Sequence, residues 1–262
     1  MFCVTLISLL CACSSQQKLA DQRLADQSTM AVNWMQQSGE YQAIALQTFR
    51  FATSAFQQAA AKGTHSPAVI VDLDETMIDN SAYQAWAAKQ EVPFTDATWS
   101  QWTHAEQALA IPGAVEFARY IDSHGGIIFY VSNRAEQDRQ ATVDNLRALG
   151  FPGVSPETLL LNTSTSNKQA RFDSIKAKGY QVVVYVGDNL NDFGQATWHK
   201  DNSQRREFVA QNREKFGTEF FVLPNPSYGD WESGLSQHYS SMRPTDKLEV
   251  RKQSLRVWKD TP

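Results

Sequence analysis

Four apolar runs constrain this chain more than any other feature: AVIVDLD from Ala68, GIIFYVSNR from Gly126, QVVVYVGDN from Gln181 and TEFFVLPN from Thr218. Each is short, rich in β-branched or aromatic residues, and followed at once by polar ones. Strands that are apolar on both faces belong in a parallel sheet covered by helices on each side. Helical patterns fill the intervals. Tyr41, Ile44, Ala45, Phe49, Ala52, Phe56 and Ala59 recur at helical spacing until Lys62-Gly63 stops them. Pro112-Gly113 introduces a helix that ends at Gly125, with Pro112 suited to its first turn. Another runs from Ala135 to Leu149 and stops at Gly150. Ser166 and Gln169 have capping-box spacing ahead of a third, which ends at Gly179. The alternation predicts a doubly wound α/β fold with a parallel sheet. Residues 79–111 break it: they have aromatics and helical periodicity without a strand pattern, as a small, mainly helical cap would.

The first run continues into VIVDLDETMIDNS, Val69 to Ser81. Alternation along a strand projects Asp72 and Asp74 together and turns Leu73 back into the core. Two adjacent carboxylates are tolerable when a divalent cation neutralises them or when one of them holds a proton. In an open parallel sheet ligands bind beyond the carboxyl ends of the strands, where the tails DLDET, SNR and GDNLND gather. Asn167-Lys168 at a helix start brings a cation to the same edge. Acidic groups, a hydroxyl and a lysine are the inventory for Mg²⁺-dependent phosphoryl transfer. Taken singly, Ser132 reads as a turn hydroxyl and Lys168 as a solvated helix start. The net charge of -4, with no basic run, gives no general attraction to nucleic acid polymers or anionic lipid. The five histidines show no paired metal spacing. By pattern alone, Trp99 and Trp102 read as helix packing, and Tyr228 and Trp231 as a loop packed on the sheet.

All three cysteines, Cys3, Cys11 and Cys13, fall in the N-terminal stretch MFCVTLISLLCACSSQQ. Its apolar part is too short to span a bilayer and suits a secretory signal. Leu10-Cys11-Ala12-Cys13 resembles a bacterial lipoprotein box, which implies a signal over 1–12, acylation of Cys13 and a polar tether over 13–30 ahead of a domain at 31–262. No Lys or Arg precedes Lys18, a departure from that class of signal.

DxDxT at Asp72 to Thr76, an apolar strand ending at Ser132, then Lys168, then Gly187-Asp188 through Asp192 resemble in order the four motifs of the haloacid dehalogenase superfamily. More closely, DLDETMIDNSAYQ, IPGAVEFARYI, YVSNR, YVGDNLNDFG and LPNPSYGDWE resemble the class C acid phosphatases, specifically the bacterial outer-membrane lipoprotein e(P4) family of 5′-nucleotidases. The likeness runs from about residue 33 to near residue 231. It implies a haloacid dehalogenase-like core and Mg²⁺-dependent hydrolysis of nucleoside 5′-monophosphates and nicotinamide mononucleotide, in nucleotide and NAD-precursor salvage. Carried over by motif, Asp72 is the nucleophile and Asp74 the acid/base. Ser132 and Lys168 hold phosphate. The metal takes the Asp72 and Asp188 carboxylates and the Asp74 carbonyl, with Asp192 acting through water or in support. Trp99 and Tyr228 stack on the base, and Thr76 and Asn133 shape the loops. Many superfamily phosphatases have Gly where this chain has Glu75, a mark it shares with class C. The other readings are a phosphatase without nucleotide preference and a non-catalytic surface or storage protein on the same scaffold. The retained Asp72 argues against the latter, and Asp74 argues for phosphatase over dehalogenase.

Overall fold

The computed structural model describes residues 3–259, with side chains from Gln16 onward. Cys13 therefore lies outside the residues whose side chains are described. Helix α1 (Cys3–Gln37) leads directly into α2 (Gly39–Ala61). The polar stretch 18–29, expected as a connecting segment, is part of α1. Its docking is largely polar: Gln22 donates to Glu91 at 2.6 Å, and Arg251 donates to Gln27 at 2.7 Å. Few apolar positions mark its buried side, among them Ala20, Val32 and Met35. Ser38 is extended and ends α1, and its hydroxyl accepts the Tyr41 N–H at 3.1 Å to start α2. The expected face of α2 is largely the buried one: Tyr41, Ala45, Phe49, Ala52 and Phe56 point inward, whereas Ile44, at its edge, is exposed.

The chain then alternates through β1 (Pro67–Val71), β2 (Ile78–Asp79), α3 (Ser81–Gln90), α4 (Asp96–Ala105), β3 (Leu109–Ala110), α5 (Ala114–Ser123), β4 (Ile127–Ala135) and α6 (Arg139–Leu149). It continues with β5 (Leu159–Asn162), α7 (Gln169–Ala177), β6 (Gln181–Gly187), α8 (Asn202–Gln211), β7 (Phe220–Val222), α9 (Asp230–Ser233) and α10 (Pro244–Gln253). Five strands form one parallel sheet in the order β5-β4-β1-β6-β7. The four expected strands are present. The fifth, β5, is a four-residue Leu-rich edge strand with little β-branched signal. Alternation along the strands feeds two cores. Val69, Val71, Tyr130, Val184 and Val186 face α2 and α5, whereas Ala68, Ile70, Phe129, Val131 and Tyr185 face α7, which contributes Phe172 and Ile175. Helices thus cover both faces, as the apolar strands require.

Residues 79–111 hold α3 and α4, pinned at their base by the antiparallel β2–β3 pair, which is too short to leave a sequence pattern. Three helix starts differ from expectation. Gly113, not Pro112, borders α5, at φ 90. Strand β4 extends to Ala135 and a 3-10 turn follows, so α6 begins only at Arg139. The capping box before α7 does not form. The Ser166 hydroxyl accepts from Trp198 Nε1 at 3.0 Å, the Gln169 amide reaches Asp173 at 2.8 Å, and Asn167 accepts the Gln169 N–H at 2.9 Å.

Candidate active site

The site forms where β1, β4 and β6 end. Past Val71 the alternation continues: Leu73 is fully buried in the core, while Asp72 and Asp74 line a cavity of about 680 Å³. Gly187 closes β6 so tightly against the following turn that a Cβ there would overlap Asp192. That close approach brings Asp188 and Asp192 to Asp72, and the three carboxylates have oxygens within 4.8 Å of one another. Lys168, 3% exposed at the start of α7, reaches across the sheet to bond Asp72 Oδ1 at 2.5 Å and Asp192 Oδ1 at 2.7 Å. Asp188 accepts from Asn225 at 2.8 Å and from Thr76 at 3.3 Å.

One ammonium does not balance three buried carboxylates. Burial pushes the Asp72 carboxyl up to about 7 against the pull of Lys168, and Asp192 and Asp74 add repulsion. Burial, then the charges of Asp192 and Asp72, hold Asp188 well above the usual carboxylate range. Burial alone would lower the Lys168 ammonium, but Asp192 and Asp72 outweigh it and keep the group above its ordinary value. The donors are hard oxygens with unbalanced negative charge, which fits a divalent cation of the Mg²⁺ type. Among the described residues no histidine or cysteine joins the group.

Asp74 stands apart from the triad. Its Oδ1 accepts from Arg134 Nε at 2.9 Å and Asn80 Nδ2 at 3.0 Å, and its Oδ2 accepts from the Ser132 hydroxyl at 3.2 Å. Ser132 is fully buried, and its oxygen also accepts the Arg134 N–H at 3.0 Å, so it bears on Asp74 in this structure. Glu75 occupies the left-handed region at φ 56, where glycine is easiest. Its carboxylate holds the turn by accepting the Asn80 N–H at 2.8 Å and the Tyr228 hydroxyl. Burial, then Asp74 and Asp188, keep that carboxyl well above its usual range. The opposite wall carries Phe94 and Trp99 from the cap and Tyr228 from the loop after β7, and α10 contributes Lys247.

The structure thus gathers Asp72, Asp74, Trp99, Lys168, Asp188, Asp192 and Tyr228 around one cavity, with Ser132 beneath its floor. Arg134 and Asn80 belong to the site without having been assigned a role from the sequence. Both were visible only as tails of motifs, in SNR and MIDNS, and a buried arginine leaves no pattern of its own. Asn225 was visible only inside LPNPSYGDWE, and Lys247 had no sequence signal.

Comparison with known proteins follows the same lines. The family model for the HAD superfamily, subfamily IIIB (acid phosphatase), matches residues 7–231. Acid phosphatase 1 of Solanum lycopersicum is 26% identical over 130 residues, 47% of this chain and 50% of that protein. The stem 31 kDa glycoprotein of Glycine max is 23% identical over 169 residues, 63% of this chain and 60% of that protein. The chain therefore spans only about half to three-fifths of these two relatives. Among solved structures, the class C acid phosphatase from Bacillus anthracis superposes with a TM-score of 0.84 at 33% identity, covering 90% of this chain and 99% of that one. A structure of the Bacillus anthracis enzyme with tungstate bound gives 0.85 at 32%, covering 92% and 100%.

Proposed function

Since the chain belongs to the HAD superfamily, subfamily IIIB, the acid phosphatases, we propose that it hydrolyses phosphate monoesters through an aspartyl-phosphate, with nucleoside 5′-monophosphates and nicotinamide mononucleotide as substrates for salvage. The observation that carries this reading is the meeting of both motif carboxylates, in different hydrogen-bonding environments, with an aromatic wall in one cavity. With Oδ1 held by Lys168, the other Asp72 oxygen attacks phosphorus, forming the acyl phosphate as the ester P–O bond breaks. Asp74 gives its proton to the departing alkoxide. It then takes one from the water that attacks the acyl phosphate, which regenerates Asp72 and releases phosphate. Lys168 stabilises the phosphoryl oxygens, and Ser132, whose hydroxyl donates to Asp74, bears on the acid/base instead of the phosphate. Mg²⁺ held by Asp72, Asp188 and the Asp74 carbonyl, with Asp192 in support, supplies charge neutralisation when bound. Tungstate in the related structure is an oxyanion of phosphate-like shape, which supports the anion site. We also assign Cys13 as an acylation site holding the protein at the bacterial outer membrane.

Trp99 and Tyr228 are the proposed base clamp. Stacking contributes roughly 1–3 kcal/mol per base. Trp99→Ala and Tyr228→Ala should therefore each lower kcat/KM for adenosine monophosphate by about tenfold or more, and that for p-nitrophenyl phosphate by less, in assays with Mg²⁺ and an EDTA control. If the ratio of the two stays at its wild-type value in both variants, a phosphatase without nucleotide preference replaces this reading.

A further inference from the structure

Arg134 is 2% exposed, yet no step above uses it. Its guanidinium touches four parts of the fold. Nε donates to Asp74 Oδ1 at 2.9 Å, Nη2 to Asn80 Oδ1 at 3.1 Å and Nη1 to Thr142 on α6 at 3.4 Å, and the group lies 5.7 Å from the centre of the Trp99 ring on α4. Asn80, fully buried at the start of α3, repeats the arrangement. It donates Nδ2 to Asp74 and accepts from Trp102 Nε1 of α4 at 2.8 Å. Two donors thus converge on one oxygen of Asp74, and both are themselves fixed by side chains of the cap. The other catalytic carboxylate has no such link, since Lys168 joins Asp72 to the core alone.

A buried ion pair contributes little net stability compared with apolar packing, so its presence beneath a reactive carboxylate calls for another explanation. Proton transfer from a positioned acid depends on holding the donor oxygen within hydrogen-bond reach of the leaving group. We propose that Arg134 and Asn80 are positioning residues for Asp74, and that they make its placement depend on the seating of Trp99 and Trp102 in the cap. The acid is therefore in place only when the cap that grips the leaving group is in place. This rests on the acid/base role proposed for Asp74.

The test uses substrates without a nucleobase and leaves Trp99 in place, so that base stacking does not set the ratio. An alkyl ester such as glycerol 2-phosphate needs a proton on its leaving group, whereas p-nitrophenolate leaves largely without one. The kcat/KM of each reports the step that breaks the ester bond. In Arg134→Lys, kcat/KM for glycerol 2-phosphate should fall on the order of a hundredfold, the lower end of what general acid catalysis supplies. The fall for p-nitrophenyl phosphate should be about tenfold smaller or less. Trp102→Phe, which keeps an aromatic ring but removes the indole N–H that bonds Asn80 together with the five-membered ring, should shift the ratio the same way by a few-fold, and it decides the matter if Arg134→Lys does not fold. In an Asp74→Asn background neither change should move the ratio further. A ratio that falls in Asp74→Asn and stays constant in Arg134→Lys and Trp102→Phe overturns the positioning role alone. A ratio unchanged in Asp74→Asn itself overturns the acid assignment and this proposal with it.

Discussion

Asp72 shows how one residue links stability to chemistry. Its carboxyl, raised to about 7 by burial and by neighbouring acids, binds a proton more tightly in the folded chain than in the unfolded one. The stability this contributes is fully present below the ordinary carboxylate range and is lost as the pH rises through about 7. Metal-free protein should therefore lose a few kcal/mol between about pH 4 and about pH 8, and Asp72→Asn should reduce the loss to the part that Asp188 and Glu75 contribute, while abolishing turnover. Melting temperatures across that range check it, and parallel curves for the two proteins would contradict the assignment. Gly187 acts by what it lacks. Gly187→Ala places a methyl against Asp192, which should destabilise by about 1–3 kcal/mol. Calorimetric Mg²⁺ titration should show affinity about tenfold or more lower, because Asp192 is displaced from its place beside the other two carboxylates. Unchanged affinity would remove Asp192 from the metal assignment. At this scale the groups proposed to react were legible because motif chemistry requires Asp, Lys and Ser at set places. The groups that aim them were not: Arg134, Asn80 and Asn225 matter through contacts made by tertiary packing.

Among the elements, those with a strong period were the ones read well. Helix α2 has an apolar stripe from Tyr41 to Phe56 and begins at the residue that can cap it, Ser38. Ser38→Ala should lower stability by about 1 kcal/mol, measured by urea unfolding, because the Tyr41 N–H loses its acceptor. No change would mean that the start of α2 is held by packing alone. The polar stretch 18–29 of α1 was misread because glutamines and an arginine dock it where apolar residues usually would. Strand β5 was missed because leucines suit helices as well as strands, and only pairing with β4 decides between them. The Ser166–Gln169 spacing failed as a cap because Trp198 and Asp173 take the two side chains. Local patterns predict local bonds only where no distant partner competes.

For the whole molecule, attachment and assembly are separate questions. No helix among the described residues is long and apolar enough to cross a membrane. The anchorage proposed at Cys13 is through acyl chains. Cys13→Ala should move the protein from the membrane fraction to the soluble fraction of a bacterial host with its specific activity kept. A variant that remained with the membrane would point to another anchor. The sheet order was not legible in the sequence beyond its parallel character, because strand neighbours are chosen by the crossovers of the folded chain. That order places Asp72 just past the end of the central strand, between the strand that carries Ser132 and the one that leads to Asp188, with Lys168 arriving from the start of α7. These four residues are scattered over more than a hundred positions of chain, and none of them meets another until β1, β4 and β6 lie side by side. During refolding, uptake of metal should consequently be a late signal, slower than the appearance of helix. A partly assembled chain then lacks the assembled group proposed for catalysis, and each turnover certifies a completed fold.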